Sequence, residues 1–374
     1  MSWVLAISGF AALVVLHEGG HFAAAKLVGM RVERFFLFFP PKVVSITRGE
    51  TEYGIGAIPL GGYVRITGMN PEEEIPDEVA HRAYYRQPVW KRIVVIAAGP
   101  LVNIVLALII FFGIAVGFGV DTEPTNRVGS IDETLPAAGV LEAGDELRAV
   151  DGKSVRGLTG LKLSDAVRKQ VATHTCAGKP TDGCEATTPV KLDVLRDGAR
   201  ETLSVRPVFS APESVPGQPD IEPRMVVGFS YEFARDRLSA LEGAKFAADR
   251  IWFVTSQTAQ VFAGIFDAEQ REQITSVVGA TEVTRQSIEF DARQAIGVLG
   301  VISLSLGLIN LLPFLPLDGG HIFWALVEKL RGKPVPLVVM ERSGLVGFAL
   351  VMALFLIGLQ NDIGRLTGEG FNVR

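Results

Sequence analysis

His17-Glu18-Gly19-Gly20-His21 lies inside the apolar run LVVLHEGGHFAAAKLVGM, residues 13–30. On an α-helix, positions i and i+4 share a face about one turn apart, so both imidazoles can bind one zinc ion. Glu18, beside the first histidine, is within reach of a metal-bound water and can act as general base. Zinc lowers the pKa of such a water from about 16 to about 7, which makes hydroxide available at neutral pH. Three ionisable groups within one turn of a lipid-facing run are costly, roughly 2.5–3.5 kcal/mol for one central charge. A bound metal is the simplest compensation. The glycine pair adds a second anomaly: each glycine costs about 1 kcal/mol against alanine inside a helix. It points to close approach of another backbone or a substrate, or to small-residue helix packing.

A catalytic zinc wants a third protein ligand and one open position. The run LINLLPFLPLDGGHIF, residues 308–323, supplies the candidates. Asp318 is its only acid, and His321 is the rival ligand. Pro313 and Pro316 prevent regular helix, and irregular backbone at membrane depth is tolerated only where protein or a water-filled cavity surrounds it. Asn310 adds an amide to the same run. Gly319 and Gly320 permit a sharp turn that would aim Asp318 inward and turn His321 away, so Asp318 is preferred.

These groups need membrane elements to position them. The 374-residue chain is 48% hydrophobic, with mean hydropathy +0.32, which is high for a soluble globular protein. Besides the first span, apolar segments occur at residues 93–120, 295–312 and 344–359. Against the roughly 20 residues a spanning helix needs, this predicts four transmembrane helices. The start lacks a positively charged region and a small-residue cleavage site, so it reads as a retained helix rather than a cleaved leader. Arg31, Arg34, Lys42, Arg48, Arg82, Arg86, Lys91 and Arg92 follow span one, and Lys329, Arg331, Lys333 and Arg342 follow span three. Both connections are therefore expected in the cytoplasm, with the termini and residues 121–291 outside.

TEYGIGAIPLGGYVRITGM, residues 51–69, reads as a β-hairpin turning at PLGG, either cytoplasmic or dipping toward the membrane; NPEEEIPDE, residues 70–78, reads as a solvated loop. Residues 125–208 read as strands, turns and one amphipathic helix, with Ser164 as its N-cap and a β-hairpin at Asp197-Gly198. A proline-rich linker covers residues 210–223, and residues 239–266 show helical spacing. Cys176 and Cys184 form no CxxC pattern; outside the cell they can close a small disulfide loop, two free thiols being the alternative. The net charge of −5 is mild and evenly spread, so no direct nucleic-acid partner is expected. A secreted soluble zinc protease is excluded by the membrane setting of its own motif.

HExxH in the first span together with NLLPFLPLDGG in a later one resembles the site-2 protease family of intramembrane zinc metalloproteases, in its bacterial form with one extracytoplasmic PDZ domain. By that resemblance His17, His21 and Asp318 match the zinc ligands, Glu18 the catalytic glutamate, and Asn310 and Pro313 the Asn and first Pro upstream of the LDG motif. The family implies substrate or transition-state contacts for Asn310. GIGAIPLGGYVRITGM, with Gly61 and Gly62, resembles the membrane-associated β-loop that offers an edge to substrate. AAGPLVN, residues 97–103, matches the segment that opens span two, and AAGVLEAGDELRAVDG resembles a protease-type PDZ signature. Two departures stand: both HExxH wildcards are glycine, and the second proline lies one residue nearer the aspartate than in the commonest form.

The expected fold is a polytopic α-helical membrane protein with about four transmembrane helices, a cytoplasmic or membrane-associated β-hairpin and an inserted extracytoplasmic PDZ (α+β) domain. Its expected divisions are residues 1–120 (spans one and two), 121–210 (PDZ), 211–293 (linker and amphipathic helix) and 294–374 (spans three and four). The expected activity is zinc-dependent hydrolysis, one Zn2+ per chain, within the transmembrane helix of a single-span protein. The resemblance implies anti-sigma factors as substrates in regulated intramembrane proteolysis. Membrane lipid and a peptide or protein ligand of the PDZ domain are the other expected partners. A catalytically inactive PDZ scaffold, which predicts no zinc or zinc without proteolysis, is the main alternative; a transporter would show repeat symmetry, which the chain lacks.

Overall fold

The computed structural model describes residues 1–70, 73–211, 223–368 and 371. The chain divides into two compact units. A membrane unit comprises Met1–Phe118 and Ser239–Arg374, and an inserted unit comprises Gly119–Leu238.

In the membrane unit, α1 (Ser2–Leu27) leads into β1 (Val32–Arg48) and β2 (Thr51–Ile66), then a single turn α2 (Asp77–Ala80) and the long α3 (Val89–Gly113), which runs on in π-helical form to Phe118. After the insertion come α5 (Ala240–Ala263), α6 (Ala268–Glu272), α7 (Val277–Phe290), α8 (Ala292–Asn310), α9 (Asp318–Arg331) and α10 (Leu337–Thr367). Four of these elements are long and apolar enough to cross a membrane: Ser2–Leu27, Val89–Phe118, Ala292–Asn310 and Leu337–Thr367. A 26-residue helix such as α1 is about 39 Å long, which exceeds a hydrocarbon core of about 30 Å. The protein is a membrane protein with four such helices among the described residues, as the hydropathy reading expects.

α3 is the central post. Ala107 and Phe111 pack with Leu304 of α8 and with Ala247 and Val254 of α5. Nearer its start, Val95 and Ile96 pack with Ala24 and Ala25 of α1. The start of α5 is set by a capping box, in which the Ser239 side chain accepts from the Glu242 N–H and the Glu242 carboxylate accepts from Ser239.

The β region departs from the expected hairpin. The two runs flanking PLGG do not pair with each other. β1 and β2 are antiparallel partners that turn at Gly49, whose φ is +61°. Arg34–Leu37 pairs both with residues 52–55 and with residues 62–65. The second half of β2 thus crosses to the far side of β1. The sequence reading missed β1 because two prolines and four phenylalanines break its period-two pattern. Residues 71 and 72 of the expected acidic loop lie outside the described residues.

The inserted unit carries β3 (Val120–Ile131), β4 (Glu146–Val150), β5 (Lys153–Ser154), α4 (Gly160–Val171), β6 (Val190–Arg196), β7 (Ala199–Val205), β8 (Val208–Ser210), β9 (Arg224–Val226) and β10 (Phe229–Asp236). Its main sheet runs β10-β3-β4-β6-β7, with β5 on β4. Leu147, Val150, Leu192 and Val194 of the sheet bury against Leu163, Val167 and Val171 of α4. The β6–β7 hairpin turns at Asp197-Gly198, both with positive φ. Because β10 pairs with β3, the unit continues to Leu238, past the boundary at residue 210 that the sequence reading set. The linker between those points lies outside the described residues at 212–222. The amphipathic helix also begins earlier than expected: Ser164 sits inside α4 and its hydroxyl donates to the Gly160 carbonyl rather than capping. Cys176 and Cys184 are joined by a disulfide.

Candidate metal centre

The i, i+4 spacing on α1 puts His17 and His21 one above the other, both buried. Their Nε2 atoms are 3.3 Å apart. Asp318, in the first turn of α9, brings Oδ2 to 3.2 Å from His17 Nε2 and 3.3 Å from His21 Nε2. Among the described residues this is the group of three side chains whose donor atoms converge as metal ligands do. His321 is not part of it.

The surroundings decide which atoms are free. Val95 of α3 offers its carbonyl 2.9 Å from His21 Nδ1. With the proton on Nδ1, the Nε2 lone pair faces the cluster, the usual arrangement of a metal-ligating histidine. Two atoms of these three side chains lack a hydrogen-bond partner although buried, His17 Nδ1 and Asp318 Oδ2. A buried acceptor facing two other acceptors needs a cation to hold it there. The donor set of two imidazoles and one carboxylate, with a neighbouring glutamate, fits zinc.

Glycines allow these approaches. A Cβ on Gly99 of α3 would stand 2.3 Å from His21 Nε2, and one on Gly20 would stand 2.6 Å from the Ala98 carbonyl. Gly20 is therefore where α3 meets α1, while Gly19 has open space around it. Gly319 and Gly320 correct an expectation. They are helical, within α9, and do not make a turn. Their missing side chains let the broken backbone after α8 lie on α9: a Cβ at Gly319 would be 2.2 Å from the Leu311 carbonyl, and at Gly320 2.4 Å from the Leu315 nitrogen.

The remaining expected site residues divide. Gly62 is at the site: its Cβ would lie 2.7 Å from Glu18 Cγ. So the second half of β2 runs past the glutamate, and that half has β1 as its only strand partner among the described residues. Gly61, with φ +144°, faces Phe39 instead. The Asn310 amide donates back to the Leu306 carbonyl at 3.0 Å, and no described contact joins it to the three clustered side chains. Pro313 is exposed in the connection between α8 and α9. The sheet is tied to α1 by Glu50, in the β1–β2 turn, which accepts from Arg82 and from Lys26 at the end of α1 at 2.7–2.8 Å. Those two cations push the Glu50 carboxyl down to about 2.

Val95 and Gly99 are the site residues that sequence reasoning missed. A signal existed in the Gly-Pro inside an otherwise apolar span, but nothing local says which side chain that glycine accommodates.

The model of Peptidase family M50 matches residues 5–354. The chain belongs to that family, the site-2 proteases. The zinc metalloprotease Rip1 of Mycolicibacterium smegmatis is 32% identical over 371 residues, covering 91% of this chain and 88% of Rip1. Rip1 of Mycobacterium tuberculosis is 32% identical over 368 residues, covering 92% and 88%. A Clostridium perfringens protein whose name carries the words zinc metalloprotease is 31% identical over 363 residues, covering 96% and 98%. This M50 protease is thus a zinc metalloprotease of the membrane, and zinc is its cofactor.

Proposed function

We propose that His17, His21 and Asp318 hold the zinc, that Glu18 is the general base, and that the peptide bond cut lies in a transmembrane helix of a single-span protein. The observation that carries this is the convergence of three buried acceptor atoms within 3.3 Å of one another beside a glutamate. Zinc, when bound, supplies Lewis acidity to that cluster. Glu18 takes a proton from the attacking water and delivers it to the leaving nitrogen. A helical substrate must unwind first, because its peptide groups are hydrogen-bonded internally. The unwound segment then adds as a strand along residues 62–66, the half of β2 that passes Glu18. Gly61 and Gly62 keep that path low. Asn310 and Pro313 line the approach from the α8–α9 side. Val43, Val44 and Ile46, all more than half exposed, dip the other edge of the sheet into lipid.

By resemblance, the substrate class is the membrane-spanning anti-sigma factor, and the inserted unit is a PDZ domain outside the cell that takes a peptide or protein ligand. The termini share that side, and the site lies in the bilayer toward the cytoplasm. The test is purification in detergent without chelators, metal analysis and incubation with a single-span substrate. One zinc per chain, with cleavage lost and zinc kept in Glu18→Gln, is expected. Zinc-free protein would sink the reading; zinc without cleavage of any single-span substrate would favour the scaffold.

A further inference from the structure

α9 carries Asp318 at one end and Glu328 about three turns away, roughly 15 Å along the axis. Glu328 receives a two-pronged contact from Arg92 of α3: Nη1 to Oε2 at 2.9 Å and Nη2 to Oε1 at 2.6 Å. Arg92 is only 8% exposed, and its guanidinium lies over the Tyr84 ring, 5.9 Å from the centroid. A parallel fork of this kind fixes direction as well as distance. Arg92, Val95 and Gly99 stand at i, i+3 and i+7, on one face of α3. Two of them set His21, through a carbonyl and through the space for its ring. The third grips the helix that bears Asp318.

We propose that Arg92 and Glu328 are positioning residues for the third metal ligand. The pair sets the axial position and tilt of α9 against α3, so that Asp318 Oδ2 meets the two Nε2 atoms that the same face of α3 orients. Ile322 of α9 is packed against the α1–α3 core but only partly buried, and the connection from α8 is irregular, so the charged fork supplies a directional contact to this seat. Removing Glu328 leaves the Arg92 charge buried and unpaired, which drives the helix off its seat.

The inference rests on the zinc-site reading above, and its test separates the two. The full-length protein in detergent is loaded with zinc, and metal loss to a chromogenic chelator is timed for the unmodified chain, Glu328→Gln, Arg92→Glu with Glu328→Arg, and Glu282→Gln. Glu282 on α7 is likewise forked to an arginine, Arg285, and is more deeply buried than Glu328, but its helix bears no ligand. Glu328→Gln should release zinc about tenfold faster, the low end of the range for groups that orient metal ligands. The charge-reversed double variant should recover part of that loss, and Glu282→Gln should behave as the unmodified chain. In metal-free protein, amide exchange in the first turns of α9 should quicken in Glu328→Gln and not in Glu282→Gln. Unchanged release and exchange in Glu328→Gln, or equal effects of Glu282→Gln, would overturn the proposal. If the unmodified chain binds no zinc, the zinc-site reading fails, and the exchange comparison still decides whether the clamp holds α9.

Discussion

His174 in the inserted unit and His21 in the membrane unit each face an aspartate, at 2.9 Å and 3.3 Å. The two contacts do different things. Around His174 every polar atom is answered. Nε2 donates to Asp151, Nδ1 meets the Thr188 hydroxyl at 2.8 Å, and the other Asp151 oxygen accepts from the Lys191 N–H. Such a closed network ties the end of α4 to the sheet and has no valence left for a ligand. Around His21 the carbonyl of Val95 occupies one nitrogen, and the other points at two more acceptors. Unanswered buried acceptors turned toward a common point mark a cation site. The histidine of the inserted unit is closed within its own network; the two of the membrane unit turn Nε2 toward a point they share with Asp318.

The contrast is broken most easily by exchanging the aspartates' fates. Asp318→Ala should abolish stoichiometric zinc binding and proteolysis, whereas Asp151→Ala should leave bound zinc unchanged; metal analysis of both purified variants checks this. His321→Ala should retain zinc, and its loss there would reopen the choice of third ligand. Gly99→Ala comes next. Its methyl group would meet His21 Nε2, so zinc affinity should fall by about 10–100-fold, read by competition with a chelator.

Smaller effects fall on the inserted unit. His174→Ala leaves Asp151 with one fewer donor and should destabilise that unit by about 1–3 kcal/mol, measured by hydrogen exchange of its strands, with zinc content constant. Acid should do less. The Arg196 guanidinium forks onto Asp145 at 2.7–2.8 Å and holds its carboxyl below the usual aspartate range. A depressed carboxyl contributes stability in full above its ordinary value of about 3.9, and loses it as pH falls through its own lower value. The inserted unit should therefore keep its exchange protection down to about pH 4 and lose part of it only below. Arg196→Gln should flatten that acid limb.

Short-range periodicity along the chain suffices for the local features. Four apolar stretches long enough for a bilayer are, among the described residues, the four helices long and apolar enough to cross one. The four-residue spacing of His17 and His21 puts both imidazoles on one face, because α-helical geometry leaves no alternative. The Asp197-Gly198 turn is equally local. Tertiary structure decided the rest, because the deciding contacts join residues far apart in the chain. Asp318 rather than His321 meets the histidines because of how α9 seats on α3. Gly319 and Gly320 serve close packing rather than a turn, which their identity alone cannot distinguish. The two halves of β2 take opposite sides of β1, a pairing their own β propensity does not encode. β10 returns from beyond the linker to close the inserted sheet, and Gly99 makes room for a histidine 78 positions earlier. Local sequence states which groups are present and which face they share; the direction of approach between elements belongs to packing.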